Sequence, residues 1–248
     1  MSNLILIQSR YIPFCKAVCG FTTRYGGVSE APFDTMNLGL NTTDNQSHVL
    51  ENRKRLFRAA GSCEKNATLM GQVHGTRVRV VSSGGLYEKT DGLITNSPDV
   101  FLGVLIADCI PLLVYDPENE VIGALHCGWR SIVGGIAENA LSLMAGKFST
   151  DSKNVLAVAG PSAGSCCYEI KSDVACYLGT QSVRHKDGKI YADLKTELYN
   201  RLVREGVRKT NIEQFDDCTV CNKTLYYSHR RDDNRSGRMM GFIMLKKE

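Results

Sequence analysis

The sequence predicts an α+β fold in a single domain over residues 1–248, and three observations lead to this class. Apolar runs rich in β-branched residues alternate with segments whose apolar residues recur at helical spacing. With 43% hydrophobic and 23% charged residues, the 248-residue chain can bury a sizeable core. The chain contains no internal repeat, low-complexity segment or proline-rich linker, so nothing in it marks a domain boundary.

Short apolar runs bounded by glycine, proline or polar residues predict the strands. In chain order they cover residues 5–7, 17–22, 67–70, 77–81, a segment starting at 90, and 100–106, 112–115, 121–125, 155–159 and 242–245. The runs at 100–106 and 112–115 flank Asp108 and Cys109, and the run at 121–125 leads into His126. A cysteine and a histidine therefore lie at strand ends, where the strand fixes the side chain and the turn leaves room for a substrate.

Helical spacing of apolar residues predicts four helices. Asp44 is expected to cap the first, which Gly61 ends, and Ser131 to cap the second, which extends to Met144. A short helix near Ser172 and an amphipathic helix over 192–207 follow. The N-terminus of the second helix would direct free backbone N–H groups toward the region of His126, which suggests a seat for an anion.

His74 lies upstream of the strand at 77–81, and together with Cys109 and His126 it forms an N/S/N set. Such a set can bind zinc and leave a fourth position open for a water molecule or a substrate. The spacing is not a short-range zinc signature, and a buried cysteine or a hydrogen-bonded histidine is the common alternative. Asp91 either holds a turn or orients a metal-binding histidine through its second ring nitrogen.

Charge and motif content exclude several classes of function. The net charge of +4 is mild and includes no long run of like charges, so we expect no binding to nucleic acid. Arg230 and Arg231 are interleaved with acidic residues and fit a small anionic ligand better. The chain has no nucleotide-binding glycine motif, no targeting signal in MSNLILIQSRYIPF and no membrane-length apolar run. We therefore expect a soluble cytoplasmic protein without a membrane partner.

Ten cysteines in such a chain are expected to be thiols, metal ligands or nucleophiles rather than a disulfide framework. The pairs Cys15/Cys19 and Cys218/Cys221 are candidates for a second metal site, with packing as small apolar side chains as the alternative. The adjacent residues at 166–167 either pack as thiols or line a pocket.

Six motifs carry a resemblance to a known family, and they cover most of the chain from residue 21 to residue 245. They are QVHGTRV, TDGLIT, ADCIPLLVYDP, ALHCGWR, GPSAGSCCYEI and RRDDNRSGRMMGFIML. In this order they resemble the signatures of the laccase-domain family, to which FTTRYGGVS adds a turn with Arg24. The resemblance implies mixed β-sheets packed with outer helices, a layered α/β sandwich, and leaves a monomer or a small homo-oligomer open.

For function, the resemblance implies a zinc enzyme that acts on purine nucleosides. Its members phosphorolyse inosine, guanosine, adenosine and methylthioadenosine, and deaminate adenosine. Mapped onto this chain, the zinc ligands are His74, Cys109 and His126. The expected catalytic residues are Cys109, Arg24 and Asp108, and the expected substrate and phosphate contacts are Arg24, Arg130, Arg230 and Arg231. No H-x-E glutamate of the usual zinc deaminases follows His74, so the general acid or base is not assigned beyond Asp108 and Asp91 as candidates.

Two other chemistries fit the same three residues. A copper polyphenol oxidase is one, because two histidines and a cysteine also form a blue-copper centre. A four-copper cluster would use roughly ten imidazoles, whereas the chain has five histidines. A cysteine hydrolase or deamidase is the other, with Cys109 as nucleophile and His126 as base. A non-enzymatic metal-binding partner protein ranks last, since no exposed amphipathic recognition stretch supports it.

Overall fold

Strands make up the centre of the computed structural model, which describes residues 4–247. Residues 1–3 and 248 of the expected 1–248 domain lie outside this range. Within it the strands are β1 (Leu6–Ile7), β2 (Ala17–Thr22), β3 (Ala67–Gly71), β4 (Val78–Val80), β5 (Gly85–Glu88), β6 (Gly92–Thr95), β7 (Phe101–Ile106), β8 (Ile110–Asp116), β9 (Val121–Cys127), β10 (Leu156–Ala159), β11 (Glu169–Ile170), β12 (Val183–Lys186), β13 (Lys189–Ala192), β14 (Ile212–Gln214) and β15 (Met239–Leu245). The α-helices are α1 (Gln46–Ala59), α2 (Trp129–Val133), α3 (Ile136–Phe148), α4 (Ser172–Ala175), α5 (Leu194–Arg204) and α6 (His229–Asp232).

The strands form two large mixed sheets and one small sheet. The first sheet has the order β1-β2-β15-β7-β3-β5, and the second has the order β14-β10-β8-β9-β6-β4. Each combines parallel and antiparallel pairs, as in the parallel pair β3/β7 and the antiparallel pair β15/β7. The third sheet is the antiparallel group β11-β13-β12. This architecture confirms the predicted α+β class and its mixed sheets.

Alternation of buried side chains on the strands produces a layered structure. Phe101 on β7 packs with Phe57 of α1, whereas its neighbour Leu102 packs in the cluster that contains Leu113 of β8. The first sheet therefore has α1 on one face and the second sheet on the other. Leu112 faces away from the first sheet and joins a cluster with side chains from α2, α3 and α5. Helices cover both outer faces, as the layered α/β sandwich predicts.

The hairpin β8/β9 sets the spacing of the candidate site. Every residue of both strands is buried. Ile110 pairs with Cys127 and Pro111 with His126 at one end, and a turn over residues 117–120 closes the other end. Because this register is fixed by side chains packed on both faces, the residue before Ile110 is held beside the end of β9.

The helix predicted from Ser131 to Met144 is two helices, and Ser131 is not its cap. Gly128 occupies the N-cap position of α2, and Ser131 is buried within that helix. Gly135 has φ +92°, a left-handed conformation that favours glycine and separates α2 from α3. The first helix therefore starts closer to His126 than predicted, and it is only five residues long.

Two other helix boundaries differ slightly from the prediction. Asn45, not Asp44, caps α1 by accepting a hydrogen bond from the Ser47 backbone N–H. Gly61 follows the end of this helix with φ +73°, which confirms its predicted role. The amphipathic helix expected over 192–207 is α5, capped by Asp193.

The predicted strand at 17–22 matches β2, and the other predicted runs each contain a strand with similar bounds. The prediction missed β5 and β11–β14, most of which are short and half exposed. No helix in the described part of the chain is long and apolar enough to span a bilayer.

Candidate functional site

His74, Cys109 and His126 come together at one end of the second sheet. His74 lies in the turn between β3 and β4, Cys109 immediately precedes β8, and His126 lies on β9. One potential ligand atom from each residue lies within 4.8 Å of the others. The Cys109 Sγ to His74 Nε2 distance is 3.8 Å, and the two imidazole rings meet edge to face with centroids 4.7 Å apart. The three predicted metal ligands thus form one cluster that could hold a metal ion.

The local backbone geometry allows His74, Cys109 and His126 to lie close together. His74 has φ +59° and Asp108 has φ +90°, so the chain turns sharply at both positions. A Cβ atom added to Gly128 would lie 2.9 Å from His74 Cδ2 and 3.3 Å from Cys109 Sγ. A side chain at position 128 would crowd the cluster, a role for Gly128 that no motif in the sequence indicates.

Asp91 connects two of the three residues. Its Oδ1 lies 2.9 Å from His126 Nδ1 and accepts the His74 backbone N–H at 2.9 Å, while Oδ2 accepts the Gly75 N–H at 2.8 Å. The carboxylate is fully buried. Asp91 therefore holds the turn, as expected, and also contacts a ring nitrogen of His126. Engagement of Nδ1 leaves Nε2 of His126 as the nitrogen available to a metal.

Opposite charges stabilise each other inside this cluster. Burial raises the pKa of the Cys109 thiol, but the charge of His126 and hydrogen bonds from both histidines outweigh it and lower this pKa to about 6. Burial lowers the pKa of His126, whereas Cys109 and Asp91 raise it to about 9. Burial opposes ionisation of Asp91 too, but the hydrogen bond from His126 and the backbone donors lower its pKa. The pocket therefore favours a thiolate at Cys109, the form that binds a metal or attacks an electrophile.

Asp108 is buried and hydrogen-bonded at both carboxylate oxygens. Oδ1 accepts from the Thr219 hydroxyl at 2.6 Å, and Oδ2 accepts from the Ser228 hydroxyl at 3.0 Å and the Arg230 N–H at 2.7 Å. Three donors fix the orientation of this carboxylate. This arrangement ties the start of α6 to the residue beside Cys109.

Arg230 lies against Tyr168 near the cluster. Its guanidinium carbon is 4.4 Å from the Tyr168 ring centroid, and Nη1 donates to the Glu169 carbonyl at 2.7 Å. The pKa of the Tyr168 hydroxyl is raised above its ordinary value, because burial and the charge of Cys109 outweigh the opposing effect of Arg230. Tyr168 is therefore close enough to interact electrostatically with both Cys109 and Arg230. An exposed cation is thus held beside the candidate metal ligands.

Arg231 has a different environment, although it is the next residue. Its guanidinium donates to the carbonyls of Thr219 and Val220 and of Tyr226, and it forms an ion pair with Asp232 at 2.7 Å. These bonds engage all three guanidinium nitrogens. In this conformation Arg231 holds the connection between β14 and α6 in place.

Arg24 lies over the Tyr227 ring, at 4.9 Å from its centroid, and pairs with Asp34 at 3.1 Å. It lines a cavity of about 920 Å³ together with Arg231 and Arg235. Arg24 thus sits in a pocket wall with its guanidinium already paired.

Arg130 belongs to α2 and is exposed, with its guanidinium carbon 4.4 Å from the Trp129 ring centroid. Within residues 4–247 no carboxylate forms an ion pair with it. Among the four predicted anion contacts, Arg130 and Arg230 are therefore the two without a carboxylate partner in the described part of the chain.

The second predicted metal site is assembled differently from the expectation. Cys218 and Cys221 lie beside Cys166 and Cys167, and one sulfur from each of the four lies within 4.8 Å of the others. Cys15 and Cys19 are not part of this cluster. Sequence spacing could not reveal this grouping, because more than 50 residues separate the two pairs.

Comparison with known proteins identifies the family of this chain. A family model described as multi-copper polyphenol oxidoreductase laccase matches residues 18–246. The chain is 31% identical to the purine nucleoside phosphorylase YlmD of Bacillus subtilis, over 93% of this chain and 89% of that protein. It is 34% identical to the purine nucleoside phosphorylase YfiH of Escherichia coli, over 99% and 100% of the two chains.

A solved structure shows the same fold. The crystal structure of YlmD from Geobacillus stearothermophilus superposes with a TM-score of 0.92 at 30% identity and covers 99% of this chain and 100% of that one. The matched motifs, the sheet architecture and these relatives lead to one conclusion. The chain belongs to the laccase-domain family of multi-copper polyphenol oxidoreductase-like proteins.

Proposed function

We propose that this chain, as one catalytic domain, is a zinc-dependent purine nucleoside phosphorylase that also deaminates adenosine. The observation that carries the proposal is the convergence of His74, Cys109 and His126 around a common point, with Asp91 orienting His126. Inosine, guanosine, adenosine and methylthioadenosine are the proposed nucleosides, with phosphate as the second substrate. Relatives named purine nucleoside phosphorylase at 31% and 34% identity support the substrate class.

The three side chains suit a zinc ion by chemistry and by placement. Two imidazoles and a thiolate are typical zinc ligands, and three protein ligands leave a position open. His126 is buried while His74 is exposed, so the cluster is open to solvent on one side. Zinc held there would supply Lewis-acid chemistry and lower the pKa of a water molecule to about 7.

Phosphorolysis requires a phosphate held in line with the bond between ribose and base. We assign this task to Arg130 and Arg230, the candidates without an ion-pair partner among the described residues. Each guanidinium carbon lies 4.4 Å from the centroid of an aromatic ring, a contact that helps to orient the guanidinium. Arg24, in the wall of the 920 Å³ cavity, is proposed to contact the ribose or the anion, and Arg231 to hold that wall.

Asp108 is proposed as a positioning residue. Its oxygens accept three hydrogen bonds, including one from the Arg230 backbone. It therefore fixes the residue that carries a proposed phosphate contact. Asp91 is likewise engaged by His126 and by backbone N–H groups, and its proposed task is to keep His126 in one tautomer.

Copper oxidation is the less favoured reading of the same cluster. A four-copper site needs roughly ten imidazoles. Of the five histidines in the chain, His48 lies on α1, His185 on β12 and His229 on α6, away from the cluster of His74 and His126. A single copper ion would fit the ligands, and metal analysis distinguishes it from zinc.

A cysteine hydrolase or deamidase remains the second candidate, because Cys109, His126 and Asp91 form a chain of nucleophile, base and orienting carboxylate. One sulfur cannot serve as both metal ligand and attacking group in this pocket. The metal content of the active protein therefore decides between the two functions.

The test is product analysis by chromatography after incubation of the purified protein with inosine or adenosine, with and without phosphate. We expect phosphate-dependent release of hypoxanthine or adenine, and inosine from adenosine. Cys109→Ala should lose turnover and about one zinc per chain, while Cys63→Ala, at an exposed thiol, should retain both. A fully active, metal-loaded Cys109→Ala protein overturns the proposal, and an active metal-free thiol enzyme favours the hydrolase.

A further inference from the structure

The cluster of Cys166, Cys167, Cys218 and Cys221 has no part in the proposed reaction. We propose that these four cysteines bind a second zinc ion through their thiolates and that this ion fastens together the two loops that carry them. The inference does not depend on the proposed function, because it concerns different residues and a structural role.

The sulfur positions fit a tetrahedral site. The Cys221 Sγ lies 3.2 Å from the Cys167 Sγ and 3.5 Å from the Cys166 Sγ, and the four sulfurs lie within 4.8 Å of one another. With Zn–S bonds of about 2.3 Å, tetrahedral geometry places the sulfurs roughly 3.8 Å apart. Small side-chain movements would therefore bring all four thiolates onto one ion.

Two features of the loops position sulfur atoms as a metal site requires. The Gly164 backbone N–H donates to the Cys218 Sγ at 3.2 Å, and the Cys221 backbone also donates to that sulfur. Backbone donors to a ligand sulfur hold it in place. The C-x2-C spacing of Cys218 and Cys221 is the spacing that zinc sites use to present two sulfurs from one turn.

A positive charge lies beside the cluster. Lys195 Nζ donates to the Asp217 carbonyl at 3.1 Å and to the Phe215 carbonyl, immediately before Cys218. Four thiolates around a doubly charged ion carry a net charge of −2, which a neighbouring ammonium group partly compensates. The Lys195 ammonium group therefore lies where it would offset part of the negative charge of a zinc tetrathiolate centre.

The position of the cluster explains what the ion would do. The Thr219 N–H donates to the Ser162 carbonyl at 3.0 Å, so the two loops already touch. The first loop continues into Tyr168, against which Arg230 lies, and Thr219 of the second donates to Asp108. A metal joining the loops would therefore stabilise the two contacts that position Arg230, one from Tyr168 and one through Asp108.

A disulfide is the competing occupant of the same sulfurs. All four cysteines are free thiols in the structure. One disulfide would use two sulfurs and leave two others beside it, whereas a zinc ion uses all four. Counting thiols in the purified protein separates the two cases.

The test measures bound zinc and the spectrum of the cobalt-substituted protein. The wild-type chain should contain about two zinc ions, and Cys221→Ser about one fewer, with a lower melting temperature. Cobalt in the wild type should give intense thiolate charge-transfer absorption that Cys221→Ser largely loses and Cys109→Ala largely retains. Cys63→Ser, at an exposed thiol outside both clusters, should match the wild type.

Cys166→Ser provides a second variant at an exposed position, in case Cys221→Ser does not fold. Wild-type zinc content in both variants would overturn the inference, as would a disulfide among these cysteines in protein purified without oxidant. Failure of the proposed nucleoside activity would leave these results unaffected. Conversely, loss of zinc from Cys109→Ala alone would support only the first site.

Discussion

The Asp91 carboxylate joins His74 and His126 by accepting the backbone N–H of one at 2.9 Å and lying 2.9 Å from Nδ1 of the other. One buried carboxylate therefore sets both the turn that presents His74 and the ring orientation of His126. This arrangement makes the metal cluster sensitive to a residue that does not belong to it.

Asp91→Asn should lower zinc affinity about 10–100-fold, because an amide cannot accept from His126 and from the turn as a carboxylate does. A competitive titration with a chromogenic chelator measures this change. Asp116→Asn is the matched control, since Asp116 is also buried in the second sheet but accepts only from its own turn at Glu118 and Asn119. Equal affinities for Asp91→Asn and the wild type would contradict the assignment.

Gly128→Ala should weaken metal binding, because the new methyl group would lie 2.9 Å from His74 Cδ2. The two imidazoles would be forced apart or the α2 N-terminus would move. Gly146→Ala is the comparison, since a Cβ at this position of α3 meets nothing within 4 Å. There we expect unchanged zinc affinity and a gain in stability of about 0.5–1 kcal/mol. Calorimetric titration and thermal unfolding of both proteins check the pair.

Arg230→Ala should change the KM for phosphate and Arg231→Ala should change the stability of the fold. Arg230 is exposed and stacked on Tyr168, so its loss should raise the KM for phosphate at least tenfold with little change in melting temperature. Arg231 donates to three carbonyls, so its loss should cost about 2 kcal/mol or more of stability. Steady-state kinetics and urea unfolding separate the two roles. An unchanged phosphate KM in Arg230→Ala would remove it from the anion site.

Acid stability should depend on Glu197. Its buried carboxylate accepts from the Gly179 N–H at 3.0 Å, the Ser182 hydroxyl at 2.9 Å and Arg201 at 2.9 Å. Burial opposes ionisation, but these bonds outweigh it and lower the pKa of Glu197 below its ordinary value of 4.5. Because the folded-state pKa is the lower one, this stabilisation is present above about pH 4.5 and is lost as pH falls through the folded value.

Glu197→Gln should therefore be less stable than the wild type at pH 7, and the difference should shrink as the pH falls below about 4. Urea unfolding at several pH values measures it. Glu51→Gln is the matched control, since Glu51 also pairs with an arginine four residues later but on an exposed surface. A constant difference for Glu197→Gln across the pH range would show that its carboxylate charge is not the source of stability.

Sequence analysis predicted the elements whose signals are local. The β-branched run at 17–22 is strand β2, and the three apolar runs around Cys109 are β7, β8 and β9. It also places Cys109 and His126 at strand ends, and the structure brings His74 together with them. Strands that are buried on both faces are easy to predict, because they appear in the sequence as continuous apolar runs.

Local sequence patterns do not predict features that depend on contacts between residues far apart in the chain. The strand β12 reads Val-Arg-His-Lys and lies mostly exposed, so no apolar alternation marks it. Asp108 meets Ser228 across 120 residues, and nothing in either neighbourhood signals the partner. The grouping of Cys166 and Cys167 with Cys218 and Cys221 arises in the same way. Residue type favours Ser131 as the cap of α2, but Gly128 occupies the N-cap position. A Cβ atom at Gly128 would lie within 3.3 Å of both His74 and Cys109, and these neighbours are distant in sequence.

The geometry of the candidate metal cluster depends on the pairing register of β8 and β9. Cys109 and His126 meet because Ile110 is opposite Cys127, and a shift of one residue would turn His126 to the other face of the sheet. The turn at 117–120 closes the hairpin roughly 20 Å away, at about 3.3 Å per strand residue. Insertions there can lengthen the loop without disturbing alignment, whereas an insertion within either strand separates the ligands. Metal affinity would then report strand misalignment that melting temperature alone does not reveal.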